Sequence, residues 1–301
     1  MRQRGIEMTE TQTTGGDLIN RISDAMPSLS KGQKLIAKYI VSNYDKAAYM
    51  TASALGAEVG VSESTVVRFA IEMGFDGYPD LQSKIRDTVR VRLTSVQRIE
   101  STNIRMGEAE ILDSVLLNDA EKIKITLDTL DRAEFSKAVD LILGARNIYI
   151  MGMRSSAVLA EFVNYYFGLL FDNVRLIRPA GGSEIFEHLM KVHTDDVLIA
   201  ISFPRYTTGI VNAVEYASKT GARVVAITDS LSSPIVPHAD AALVAKSDMA
   251  SFVDSLVAPM SLINALIAYI GKKKHSEVTE TLSRLETVWK EYNVYTSGTQ
   301  E

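Results

Sequence analysis

Cysteine is missing altogether from the 301 residues. Its absence excludes a disulfide framework and a thiolate metal centre, and it fits a reducing compartment. Histidine is scarce, with four in the chain, so metal binding has no support and no cofactor is expected. No apolar stretch approaches the ~18 uninterrupted residues that a membrane-spanning helix needs. The opening MRQRGIEMTETQTTGG carries two arginines but no apolar segment for an export signal. A soluble cytoplasmic protein is therefore expected, with no membrane partner.

What is present is a hydrophobic fraction of 46%, enough at this length for roughly two domains of ~150 residues each. The net charge of −5 argues mildly against nucleic acid, but it is unevenly placed. Residues 1–107 hold 14 Lys/Arg against 12 Asp/Glu, whereas the remainder holds 18 against 25. Within the first part, Lys84, Arg86, Arg90, Arg92 and Arg98 stand against Asp87 alone in residues 82–99. Such a strip is either a solvated face or a contact for phosphates.

Before about residue 145 the patterning is helical only. Residues 1–16 are polar and Gly/Thr-rich and read as disordered. A helix is expected at 17–26, stopping at Pro27. Ser30 followed by Gln33 reads as a capping box opening a helix that ends near Asn43. A short helix at 52–59 then meets a break at Gly60 and Val61, where Ser62 can cap a second helix ending at Gly74. Two short helices joined by a few residues that include Gly form a helix-turn-helix candidate. Val66, Phe69, Ala70 and Met73 share one face of the second helix and should pack inward. Ser62, Glu63, Ser64 and Thr65 lie at its N-terminal end, the end a recognition helix pushes into the major groove, with Arg68 one turn on. Hydroxyls can bond several base edges, and Arg68 can take a guanine edge or a phosphate. These five are the candidate DNA contacts; the plainer possibility is that Ser62 only caps and Thr65 only satisfies backbone.

After helices at 108–127 and 132–143, strands and helices alternate. Strands are expected near 147–151, 174–177, 196–201, 223–227 and 241–245. Helices are expected at about 183–191, 208–219, 252–270 and 275–292, the last carrying the single Trp289. This alternation predicts an all-α N-terminal domain followed by a three-layer α/β/α domain on a five-stranded parallel sheet. Ligands of such sheets bind beyond the carboxyl ends of the strands, where strand order reverses. Two of those ends are rich in hydroxyls: GMRSS, residues 152–156, and SFPRYTTG, residues 202–209. If the order is 2-1-3-4-5, both corners face one crevice, and their hydroxyls and helix N-termini converge on one anion. The candidate ligand residues are Gly152, Arg154, Ser155, Ser156, Ser202, Arg205, Tyr206, Thr207 and Thr208.

The two corners resemble those of the sugar isomerase (SIS) domain, which binds phosphosugars, and EVGVSESTVVRFAIEMGFDGYPDL, residues 58–81, resembles the helix-turn-helix of the RpiR family of bacterial transcriptional regulators. The resemblance covers about residues 17–290, with both parts in the family's order. It implies a disordered N-terminus (1–16), a DNA-binding domain (17–92), linker and coupling helices (93–130), a phosphosugar-binding SIS domain (131–292) and a tail (293–301). It further implies a homodimer or homotetramer that binds a double-stranded DNA operator under control of a phosphosugar effector.

Departures from the pattern bear on the ligand. The SIS pattern Gly-x-Gly-x-Ser becomes Gly152, Arg154, Ser156, and Ser-x-Ser-Gly-x-Thr becomes Ser202, Pro204, Arg205, Thr207. The outer hydroxyls carry over, while the turn geometry that glycine permits is not expected to. Arg154 or Arg205 either lines a subunit interface or solvent, or reaches the ligand, which would then be unusually acidic, such as a sugar acid phosphate, because a guanidinium grips carboxylate or phosphate with two prongs. Gly56, where the motif usually has Ala, is read as a helix cost of up to ~1 kcal/mol. The rival reading is a sugar-phosphate isomerase, with Glu184, Glu187 and His188 as acid and base candidates.

Overall fold

The computed structural model describes residues 15–92, 111–178, 183–247 and 253–295. The disorder expected at 1–14, the coupling segment 93–110 with Arg98, and the tail beyond 295 lie outside these residues, as do the side chains of Arg90 and Arg92. The chain divides into two compact units, Met1–Arg105 and Met106–Glu301.

The first unit is helical: α1 (Gly15–Ala25), α2 (Lys31–Ser42), α3 (Tyr44–Ala47), α4 (Ala52–Val59), α5 (Glu63–Glu72) and α6 (Tyr78–Arg92). Helix α1 begins two residues before the expected start. Pro27 sits in a 3-10 turn, Met26–Ser28, where its missing N–H costs nothing. The Ser30 N–H donates to Gln33 Oε1 at 3.0 Å, one half of the expected capping box. Val66, Phe69 and Ala70 are fully buried, joined by Ile36, Ile40, Leu55, Leu81 and Ile85. Each of the larger of these side chains contributes roughly 1.5 to 3 kcal/mol by leaving water. Tyr78, buried, donates its hydroxyl to the Met50 carbonyl at 2.8 Å, and burial pushes its phenol up to about 12.

Gly60 closes α4 with φ +75°, a left-handed cap that suits glycine. The Val61 N–H returns to the Gly56 carbonyl at 2.8 Å. This close return changes the reading of Gly56. A Cβ there would lie 2.7 Å from the Val61 carbonyl oxygen, so the tight turn needs a residue without one. Gly56→Ala is expected to destabilise the unit by about 1 to 3 kcal/mol, overriding the propensity gain of an added methyl. A thermal melt followed by circular dichroism checks this, and an unchanged or raised midpoint refutes it.

The second unit opens with α7 (Ile111–Thr129) and α8 (Arg132–Leu143) and continues as β1 (Ile148–Gly152), α9 (Ser156–Leu170), β2 (Val174–Ile177), α10 (Glu184–Leu189), β3 (Val197–Ile201), α11 (Thr208–Lys219), β4 (Arg223–Thr228), β5 (Ala241–Val244), α12 (Val257–Lys273) and α13 (His275–Glu291). All pairings are parallel and the order is β2-β1-β3-β4-β5. Side chains of β1, β3 and β4 alternate between two cores. Ile148, Ile150, Ile199 and Ile227 pack with Leu159, Val163 and Phe167 of α9 and with Leu266 of α12. Tyr149, Met151, Leu198 and Val224 pack with Ile185 of α10 and with Ile210 and Val214 of α11. Burial on both faces explains why these strands read as continuous apolar runs.

Two connections differ from a regular alternation. Between β4 and β5 the chain makes only a 3-10 turn, Val236–His238, because Pro234 and Pro237 deny a helix its donors. The helix expected from 252 starts at Val257 instead. A helix begun at 252 would hold Pro259 in its interior; from Val257 the same proline sits in the first turn, where no donor is needed. Ser255 Oγ meanwhile donates to Asp119 of α7 at 2.6 Å. The outer edge of β5 is covered by side chains: Glu134 accepts from the Ala242 N–H at 2.9 Å, and Thr126 Oγ1 from the Lys246 N–H at 3.0 Å.

Candidate functional site

In the helical unit, Ser62 holds the N-cap position of α5 without a side-chain bond to the helix backbone, and its hydroxyl lies 2.9 Å from both Ser64 Oγ and Thr65 Oγ1. Ser62, Glu63, Ser64 and Arg68 are exposed and Thr65 is half-buried. Arg68 Nε donates to the Ser64 carbonyl at 3.2 Å, which lays the guanidinium along the outer face of the helix. Ser62, Glu63, Ser64 and Thr65 therefore form the N-terminal end of α5, and Ser64 and Arg68, four apart, share its accessible outer face. Ile71 was missed. It is 57% exposed, and its spacing of seven from Ser64 places it on the same outward stripe.

In the α/β unit, β1 and β3 are neighbours, with Gly152 opposite Ile201. Their corners meet: Thr207 Oγ1 donates to Met153 Sδ at 3.3 Å, and a Cβ on Gly209 would lie 2.9 Å from that same sulfur. Gly152, Arg154, Ser155 and Ser156 thus stand beside Ser202, Thr207 and Thr208 at one end of the sheet. Ser156 and Ser202 are buried, 4% and 5% exposed. Among the described residues no side chain caps the N-terminus of α9 or α11. The hydroxyls are thus not consumed as caps, while the Ser156, Ala157 and Val158 amides of α9 donate to the Met153, Arg154 and Ser155 carbonyls at 3.2, 3.1 and 3.3 Å, so the hydroxyls and the positive helix ends are what face the crevice.

Arg154 corrects an expectation. Its φ is +57°, so a left-handed conformation of the kind glycine permits is adopted here by an arginine. That conformation costs a side-chain-bearing residue about 1 to 2 kcal/mol, yet it holds an exposed guanidinium at the crevice rim. A cleft of about 260 Å³ opens on the β2 side, lined by Gly152, Met153, Arg154, Glu161 and Arg178 among others. There Arg178 grips Glu161 with both nitrogens, and those bonds hold the Glu161 carboxyl below its ordinary value. Arg205 is exposed. Tyr206 turns the other way, donating to Asp229 Oδ1 at 2.6 Å at the end of β4. Met153 and Asp229 were not anticipated. Asp229, a carboxylate directly after a buried strand, carries the same signal as the two corners: a polar residue where a doubly wound sheet binds its ligands. Of the isomerase candidates, Glu187 and His188 are exposed and Glu184 is half-buried on the short helix α10.

Residues 16–90 match the profile of the helix-turn-helix domain of the rpiR family, and residues 141–269 match the SIS domain. The chain belongs to the RpiR family. It is a DNA-binding transcriptional regulator whose second part is an SIS domain. This RpiR-family regulator is similar to the HTH-type transcriptional regulator HexR of Escherichia coli, 25% identical over 289 residues, 91% of this chain and 95% of the relative. Its fold matches the sugar isomerase domain of an RpiR transcription factor from Sphaerobacter thermophilus, with TM-score 0.57, 26% identity, and coverage of 59% of this chain and 99% of that one. It also matches the NanR protein of Vibrio vulnificus, solved in complex with ManNAc-6P, with TM-score 0.55 and 18% identity, covering 93% of this chain and 100% of that one. Among the described residues no helix is long and apolar enough to cross a membrane, and no group of three or more His, Asp or Glu is placed to hold a metal ion.

Proposed function

We propose that this regulator grips its operator with residues 17–92 and is controlled by a phosphorylated sugar or sugar acid bound in the crevice of residues 131–292. The observation that carries the reading is the meeting of the two hydroxyl corners through Thr207 and Met153, which joins two uncapped helix N-termini into one anion cradle. That NanR, with the same fold, is complexed with ManNAc-6P supports it. Gly152, Ser155, Ser156, Ser202, Thr207 and Thr208 line the cradle, and Arg154 and Arg205 favour a ligand with a second acidic group. Ser62, Glu63, Ser64, Thr65 and Arg68 contact the DNA. The regulator acts without turnover of its ligand, in the cytoplasm where its operator lies.

A single small helix-turn-helix makes few phosphate contacts, so two copies reading a palindrome are required for tight binding. Leu112, Leu116 and Leu117 on α7, 68%, 60% and 71% exposed, supply apolar surface for an association into a homodimer or homotetramer. The effector must bind one placement of the DNA-binding domains better than another, since otherwise it shifts nothing.

A thermal-shift screen of phosphosugars tests the cradle: a true ligand raises the melting temperature by mass action, and no stabilisation by any phosphosugar would sink the reading. Turnover of aldose or ketose phosphates at ordinary enzyme rates would favour the isomerase instead. For the head, Arg68→Ala is expected to weaken operator binding by roughly 1 to 3 kcal/mol if it reads a base. Equal loss on random DNA in a gel-shift series would assign Arg68 to a phosphate.

A further inference from the structure

We infer that Tyr206 is a positioning residue, whose hydroxyl ties the corner after β3 to Asp229 at the end of β4 and thereby turns Thr207 into the ligand crevice. The inference rests on the phosphosugar reading of that crevice and gives one of its expected contacts a different task.

Strand β3 lies between β1 and β4, so the corner that leaves it can be held from either side. Adjacent residues use both. Tyr206 reaches toward β4 and donates to Asp229 Oδ1 at 2.6 Å, while Thr207 reaches toward the β1 corner and donates to Met153 Sδ at 3.3 Å. Asp229 is 3% exposed, and the same oxygen accepts from Thr228 Oγ1 at 3.3 Å, so the anchor is itself fixed to the strand. Burial and the neighbouring Asp229 carboxylate push the Tyr206 phenol far above its ordinary value, so it keeps its proton and stays the donor throughout the physiological range. A phenylalanine would fill the same space and leave the buried carboxylate short of one donor. The hydroxyl, not the ring, makes the tie.

The test is calorimetric titration of the full chain with inorganic phosphate and with hexose phosphates, with circular dichroism confirming that each variant is folded. Tyr206→Phe and Asp229→Ala are each expected to weaken binding about tenfold, the loss of one charge-assisted bond's worth of ordering. The double variant should be no weaker than either single one, because both remove the same tie. Asp229→Asn, whose amide oxygen still accepts from the phenol, should stay within about threefold of wild type. Three results would overturn the latch while sparing the crevice. Tyr206→Phe could bind as tightly as wild type while Thr207→Ala loses binding. Tyr206→Phe could lose binding while Asp229→Ala keeps it, which would make Tyr206 a direct ligand contact. Asp229→Asn could lose as much as Asp229→Ala. If the wild type binds none of these probes, or Thr207→Ala binds them undiminished, the crevice reading falls and the latch with it.

Discussion

Replacing Asp196 with alanine is expected to lower the stability of the α/β unit by roughly 2 to 4 kcal/mol, the loss of a buried charge cluster's central acceptor. Asp196 precedes β3, at the end of the sheet opposite the crevice, and its side chain is inaccessible to solvent. It accepts from Arg146 Nε and Nη2 at 3.0 and 2.8 Å, from Asn147 Nδ2 at 2.9 Å and from the His193 N–H at 2.9 Å. Arg146 is half-exposed and can return to water, as can the exposed His193, so the loss falls on half-buried Asn147 and on the packing around the buried carboxylate. A drop in melting temperature on the order of 10 °C follows for a unit of this size. A shift of less than 2 °C in a scanning calorimeter would show the cluster to be ornamental.

The same residue sets a pH dependence. Burial by itself would raise the Asp196 carboxyl, but the bonds from Arg146, Asn147 and His193 outweigh it and bring it down to about 2 from 3.8. A carboxyl whose folded value lies below its unfolded one stabilises the protein fully above the unfolded value and loses that contribution as pH falls through the folded one. The window is therefore pH 4 down to 2, and the contribution is about 2 kcal/mol. Asp196→Asn removes it. The stability difference between wild type and Asp196→Asn should shrink as pH falls from 4 to 2, and a constant difference refutes the assignment.

The second large effect belongs to Gly152→Ala. A Cβ at this position would lie 2.3 Å from the Ser156 carbonyl oxygen and 2.8 Å from its carbon. These are backbone atoms of the first turn of α9, with no flexible side-chain end to yield. The helix must move off β1, at a cost of about 1 to 3 kcal/mol or more. The moved turn carries Ser155, Ser156 and the positive end of α9, so effector affinity should fall ten- to a hundredfold, about 1.4 to 2.8 kcal/mol. Titration with the effector found in the phosphosugar screen checks this, and undiminished affinity would show that the β1 corner takes no part in binding.

These effects differ in how far they could be foreseen. Gly152 was marked by its place after a strand and before a serine pair, a local pattern. Asp196 gave no signal, because its partners Arg146 and Asn147 lie about fifty positions away and become neighbours only when β1 pairs with β3. Arg154 shows the opposite failure. Its side chain argued that the glycine turn was lost, and the surrounding corner imposed φ +57° all the same. Gly56 was judged on helix propensity, whereas the 2.7 Å approach of the Val61 oxygen decides its role.

Periodicity, punctuation and burial pattern are local properties. From them the chain by itself determined two helical segments around Gly60, five strands in parallel crossovers, and the two hydroxyl corners. Which strands lie side by side is not local, because an apolar run such as VLIAI pairs equally well with any other. Only the tertiary structure decided that β3 stands between β1 and β4, and with that order came the Thr207–Met153 contact across 54 positions and the Tyr206–Asp229 tie across 23. Short contacts between distant residues depend on packing that no single segment encodes.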